Sequence, residues 1–183
     1  MRIISGTHKG RKIRAPKQLP VRPTTDMAKE ALFNILNNTY YFEGLKVLDL
    51  FAGTGNISFE FASRGSSEIT SVDQHAGCVK FMIEMAAQFR FNIKAVKMDV
   101  FAFLRGHQGA YDVIFADPPY DLPFEQFCTI HQVIMEKKMV LPGGSLIIEH
   151  SKQTDLSQLS HFSTVRKYGS SLFSFFEIDP QEN

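Results

Sequence analysis

Between residues 46 and 149 short apolar runs alternate with longer segments whose apolar residues recur at helical spacing. Residues 46–50, 69–72, 95–98, 111–116 and 145–149 read as strands. Residues 57–64, 76–89, 101–105 and 124–138 read as the helices between them. A helix inserted between two strands leaves no tight hairpin to pair them antiparallel, so successive strands lie parallel, joined by right-handed crossovers that cover both faces. The expected fold is therefore α/β, a doubly wound and mostly parallel sheet. The end of the chain departs from this rhythm. Residues 162–168 and 172–178 are extended runs separated only by Gly169, Ser170 and Ser171, which predicts an antiparallel hairpin at one edge and seven strands in all.

Upstream, Met27, Ala28, Ala31, Leu32, Ile35 and Leu36 recur at helical spacing from a Thr25 or Asp26 cap to Asn37 and Asn38. Before this helix Gly6 and Gly10 bracket a turn between residues 2–5 and 11–14, which predicts a small basic β-hairpin, and Pro16, Pro20 and Pro23 stiffen the linker. Charge divides the chain at this point. Residues 1–30 hold eight Lys and Arg against two acids, whereas the rest holds 12 bases and 17 acids, so the net charge of +1 hides a basic arm on an acidic body. The reading is an arm and linker over residues 1–23 and a main domain over 24–183. Lys9, Arg11, Lys12, Arg14 and Arg22 are its candidate contacts to a polyanion.

Apolar runs are a few residues long, far below the roughly 20 needed to span a bilayer, and the charged opening MRIISGTHKGRK lacks the apolar body of a secretory signal. A cytoplasmic protein is expected. Cys78 and Cys128 stand fifty positions apart without metal-ligand spacing, and the six histidines form no cluster, so neither a disulfide framework nor a metal is expected.

Residues 47–62, VLDLFAGTGNISFEFA, run from a buried strand through a glycine turn into a helix. Gly53 and Gly55 permit a sharp turn close to a ligand, the new helix offers amide donors, and Asn56 is a candidate cap. The loop reads G-x-G-x-x-S rather than the dinucleotide G-x-G-x-x-G, and Asp49 at the strand end would repel a phosphate; a ligand carrying positive charge suits it better. Asp73 and Asp99 end the next two strands, so three acids fall on the crevice side of the sheet. An acid at such a strand end can accept hydroxyl or amino groups of a ligand, although either Asp73 or Asp99 alone could equally cap a helix.

The fourth strand runs into Asp117, Pro118, Pro119 and Tyr120. The prolines fix φ, donate no N–H and force Asp117 into extended geometry, which leaves carboxylate and carbonyl acceptors facing outward. Such acceptors suit an amine. A ring-conjugated amine is a poor nucleophile; two acceptors on its N–H bonds draw it toward tetrahedral geometry, while Tyr120 can stack on the ring.

VLDLFAGTG resembles the first motif of the class I S-adenosylmethionine-dependent methyltransferases, and DPPY is similar to the (D/N)PPY signature of those that modify planar amino nitrogens. The opening RIISGTHKGRKIRAP with RPTTDMAKEALFNIL, followed by these motifs, LPGGSLIIEH and a terminal strand pair, resembles the RsmD family of 16S ribosomal RNA guanine-N2 methyltransferases over essentially the whole chain. The resemblance implies a Rossmann-like fold, S-adenosylmethionine as cofactor, an RNA-contacting arm and catalysis at residues 117–120. It implies cofactor contacts from Thr24, Thr25, Asp49, Phe51, Gly53, Gly55, Asp73, Gln74, Asp99, Val100 and Asp117. Ile57 and Ser58 depart mildly from the motif. Methylation of DNA adenine or protein glutamine would use the same chemistry, and a cofactor-binding RNA chaperone without turnover is a different class of reading. A monomer acting on a small-subunit assembly particle is the expected setting.

Overall fold

In the computed structural model, which describes residues 1–20 and 25–181, seven strands form one sheet in the order β3-β2-β1-β4-β5-β7-β6. The strands are β1 (Lys46–Leu50), β2 (Glu68–Asp73), β3 (Ile93–Lys97), β4 (Tyr111–Ala116), β5 (Val140–His150), β6 (Phe162–Tyr168) and β7 (Ser171–Glu177). The first five are mutually parallel, while β7 runs antiparallel to β5 and to β6, as the terminal hairpin requires. The α/β expectation and the seven-stranded count both hold.

The helices are α1 (Asp26–Thr39), α2 (Asn56–Arg64), α3 (Ala76–Phe89), α4 (Val100–Gly106) and α5 (Phe124–Glu136). Alternation along β1 divides its side chains between two layers. Leu48 and Leu50 join Phe103 and Leu104 of α4 and Phe127, Ile130 and Ile134 of α5. Val47 joins Leu32, Phe33 and Leu36 of α1 and Phe61 of α2 on the opposite face. Each such side chain contributes roughly 1.5–3 kcal/mol by leaving water, so the central strands are the best-anchored part of the molecule. From β1 the chain winds outward through β2 and β3, whereas β4 and β5 lie on the other side. The crevice of a doubly wound sheet opens at that reversal, outside the carboxyl ends of β1 and β4.

The N-terminal arm is less regular than a ladder of strands, with a single antiparallel bridge between Arg2 and Lys12, but it is firmly docked. It lies along α2: the Ile4 and Ser5 amides donate to the two carboxylate oxygens of Glu60 at 2.8 and 3.0 Å, and the Thr7 amide donates to the Ser63 carbonyl at 2.7 Å. Ile3 and Ile13 are buried with Phe59, Val79 and Met82. Gly6 is dictated by this docking, because a Cβ there would stand 1.8 Å from the Ser63 carbonyl oxygen.

Candidate active site

The crevice is built from the loops that follow β1, β2, β3 and β4. After Leu50 the chain reverses through Phe51, held at φ 59°, and Gly53 at φ 54°. A bulky residue in the left-handed region costs about 1–3 kcal/mol. It is sustained here because the Ala52 amide donates to the Val72 carbonyl at 3.0 Å and the Phe51 ring meets Phe101 edge-on. The Gly53 amide donates to Asp73 at 2.8 Å, so the acid closing β2 holds the glycine loop in place. Gly55, at φ 79°, is the N-cap of α2; a Cβ there would lie 2.9 Å from Met82 Cγ, so close packing of α3 also demands glycine.

Asn56 is therefore the first residue inside α2 rather than its cap, and its side-chain oxygen instead accepts from Lys29 Nζ at 2.9 Å. The missing cap is supplied from below. The Asp49 carboxylate accepts from both the amide, at 3.1 Å, and the hydroxyl of Ser58, one of the two positions that depart from the motif. Asp49 is fully buried, and burial pushes its carboxyl up to about 7; the Ser58 bonds oppose that rise and the charge of Asp73 adds to it. Burial, again reinforced by Asp73, pushes the neighbouring Cys78 thiol up to about 11. The loop thus carries negative potential in a site with a buried wall, a setting that a cationic ligand relieves and a phosphate would worsen.

Asp73 lies at the end of β2 with its second oxygen accepting from the His75 amide at 2.8 Å, and Gln74 is exposed beside it. Asp99 is exposed and caps α4 through the Ala102 amide at 2.9 Å; Val100 opens that helix with its side chain in the core. The capping role open to an isolated acid is thus filled by Asp99. Thr25 caps α1 through the Ala28 amide at 3.2 Å, one turn ahead of Lys29, whose bond to Asn56 ties that turn to the glycine loop. Thr24 and Arg22 lie outside the described residues.

Asp117 sits directly against this loop. Its amide donates to the Leu50 carbonyl at 3.2 Å, extending the β1–β4 register by one residue, and its side chain is half-buried. Pro118 is buried, Pro119 is exposed, and the Pro119 carbonyl accepts from the Leu122 amide at 2.9 Å, closing the segment into a turn. Tyr120 is 42% exposed and is anchored by a 3.1 Å hydrogen bond between its hydroxyl and Ser171, a residue with no signal in the sequence. At the same edge Glu149 and His150 are buried. Burial lowers the His150 pKa, against the Ser151 carbonyl, which raises it; Nδ1–H donates to that carbonyl at 2.9 Å and Nε2 meets the Ser174 hydroxyl at 2.7 Å.

Among the described residues no group of three or more His, Cys, Asp or Glu is arranged to hold a metal, and no helix is long and apolar enough to cross a membrane. Lys9, Arg11, Lys12 and Arg14 are all exposed on the docked arm. A groove of about 550 Å³ lined by Met1, Arg2, Lys12, Ile13, Arg14 and Asp26 adjoins the start of α1.

Residues 1–177 match the family described as Conserved hypothetical protein 95. YlbH of Bacillus subtilis is 30% identical over 86% of each chain. Ribosomal RNA small subunit methyltransferase D of Haemophilus influenzae is 26% identical over 96% of this chain and 91% of its own. The solved structure of the Thermus thermophilus hypothetical protein TTHA0928 superimposes with a TM-score of 0.84 at 26% identity, covering 97% of this chain and 99% of that one.

Proposed function

The chain belongs to the Conserved hypothetical protein 95 family, of RsmD type, and on that premise we propose that it transfers a methyl group from S-adenosylmethionine to the N2 amine of a guanine in small-subunit ribosomal RNA. The observation that carries the reading is the Asp117 amide bonded to Leu50, which sets an amine-accepting DPPY segment beside the acid-lined glycine loop. The Haemophilus relative, aligned along nearly its whole length, supports ribosomal RNA as substrate.

The residues present fit the cofactor: a strained loop beside a helix N-terminus, Asp73 closing β2, Asp99 exposed at the start of α4, and beneath the loop the Asp49 carboxyl at about 7 that a nearby cation would stabilise as its anion. When bound, S-adenosylmethionine supplies an electrophilic methyl on a positively charged sulfur. Asp73 and Gln74 meet the ribose, Asp99 and the Val100 amide the adenine, and Thr24, Thr25, Phe51, Gly53 and Gly55 surround the remainder. Asp117 and the Pro118 carbonyl accept the two N–H bonds of the guanine amine, Pro119 keeps the segment rigid, and Tyr120 stacks on the base. The displaced proton passes to Asp117 or water. The arm, residues 1–23, is the RNA-binding unit of a cytoplasmic, monomeric enzyme that meets its target in a small-subunit assembly particle.

Labelled methyl offered with 30S particles, DNA and protein is expected to enter only the ribosomal RNA; label in DNA or protein overturns the proposal. Replacing Arg11, Lys12 and Arg14 together by alanine is expected to weaken RNA binding and make its salt dependence shallower, by about one unit of log–log slope for each phosphate that the arm no longer neutralises. An unchanged slope in filter binding would remove the arm from the interface.

Asp49 predicts a pH dependence. Its folded pKa, about 7, is raised from 3.8, so its contribution to stability is fully present below 3.8 and is lost as pH rises through about 7. A cationic ligand reverses this by favouring the anion, so cofactor affinity is expected to rise by up to about tenfold between pH 6 and 8. Calorimetry on wild type and Asp49→Asn isolates the effect: the variant should lose that share of the slope, and identical slopes would place the cation elsewhere.

A further inference from the structure

A second groove, of about 460 Å³, runs between the docked arm and α1. Its lining includes Arg2, Lys9, Glu30, Asn34, Asn37 and Arg64. Resting on the reading above, we infer that this groove holds a stretch of the ribosomal RNA strand outside the target nucleotide, with Asn34 and Asn37 as contact residues.

The walls are rigid before any partner arrives. Glu60 and Ser63 fasten the arm to α2 at successive turns, and Lys29 Nζ donates to the Arg2 carbonyl at 2.6 Å. Arg64 is fixed too: Nε donates to Glu60 at 2.9 Å, and its guanidinium lies over the Phe33 ring, 4.7 Å from the centroid. The groove's shape is thus set before a strand arrives, and Arg64 loses little freedom on binding.

The chemistry of the lining then distinguishes the occupant. The lining sets Arg2, Lys9 and Arg64 against Glu30; Arg2 is also paired with Asp26 at 3.5 Å and Arg64 with the buried Glu60, so among the described residues Lys9 is the cation of this lining that has no acidic partner. Asn34 and Asn37 are exposed and three residues apart on α1, hence on one face, beside the stripe of buried Leu32, Phe33 and Leu36. An amide offers both donor and acceptor, the pairing that reads base edges and 2′-hydroxyls of unpaired RNA. Arg2 lines this groove and the one beside Lys12 and Arg14, so the two grooves adjoin at the Arg2–Asp26 pair, with Lys9, Lys12 and Arg14 exposed along the arm. Direct sequence reading assigns RNA binding to the arm alone, because two asparagines in a helix carry no charge signal.

The test is the double variant Asn34→Glu/Asn37→Glu, measured with deproteinised small-subunit rRNA and with 30S particles at fixed salt, beside cofactor binding. Binding to both RNA forms is expected to weaken about tenfold while cofactor affinity is unchanged. Asn34→Ala/Asn37→Ala, which introduces no charge, is expected to weaken both about threefold. Unchanged RNA affinity in the double glutamate variant overturns the inference. A loss confined to 30S particles also overturns it, because the occupant would then be a ribosomal protein. Wild-type protein that does not methylate ribosomal RNA would instead remove the proposed function, an outcome read from a different assay.

Discussion

Replacing Asp117 by alanine is expected to lower turnover by about 10² to 10⁴-fold while cofactor affinity stays within a few-fold of wild type. Alanine before Pro118 keeps the extended geometry that proline imposes, and the Asp117 amide keeps its bond to Leu50, so the segment stays where it is. Only one acceptor for the amine disappears. The remaining Pro118 carbonyl can orient one N–H but cannot draw the nitrogen toward tetrahedral geometry. The loss should fall on kcat rather than on the KM for RNA, because the interaction matters most where charge develops. Asp117→Asn, which keeps one side-chain oxygen as an acceptor and is the other residue the (D/N)PPY signature admits, should lose less than the alanine variant. Single-turnover kinetics beside calorimetric cofactor binding decide the matter, and an alanine variant within about threefold of wild-type turnover would dismiss Asp117 from the chemistry.

The second large effect is on stability. Glu60 is fully buried and takes the amides of Ile4 and Ser5, Nε of Arg64 at 2.9 Å and Nζ of Lys29 at 3.5 Å, itself 1% exposed. Burial lowers the Lys29 pKa, and the negative charge of Glu60 is the largest opposing influence. Glu60→Ala therefore takes the counter-charge from a buried ammonium, which keeps only the neutral acceptors of Arg2 and Asn56, and strands two backbone donors, so a loss of about 3–5 kcal/mol is expected. For a chain of this length that is roughly a 6–20 °C fall in melting temperature. Glu60→Gln, which still accepts hydrogen bonds, should lose less. Since the arm is fastened through Glu60, trypsin should cut Glu60→Ala at Arg11 or Lys12 well before the body unfolds. A melting temperature within about 2 °C of wild type and an uncut arm would contradict the clamp.

What could be read from the chain alone follows from how locally each feature is encoded. The central strands are continuous apolar runs closed by an acid or a proline, and residues 111–116 come out with the observed bounds of β4. β5 is different. It begins at Val140, ahead of a Pro-Gly-Gly sequence that reads as a turn, and Val140 pairs with Tyr111 across a shift in register. Pairing with a neighbour overrides the local signal. β3 starts at Ile93, before the expected Ala95, because an edge strand buries too little to show a continuous apolar run. Lys29 is invisible for another reason: between Ala28 and Glu30 it looks like a solvated helix position, and its partners Asn56 and Glu60 stand 27 and 31 positions away. Ser58, legible only as a departure from a motif, supplies the bonds that hold Asp49.

The sharpest test is chemical identification of the product. Purified protein incubated with S-adenosylmethionine and 30S particles from cells lacking it should yield, on nuclease digestion and mass mapping of the ribosomal RNA, one new N2-methylguanosine. A methyl group on adenine or cytosine, or an unmodified RNA with active cofactor present, would contradict a guanine amine seated between Asp117 and the glycine loop.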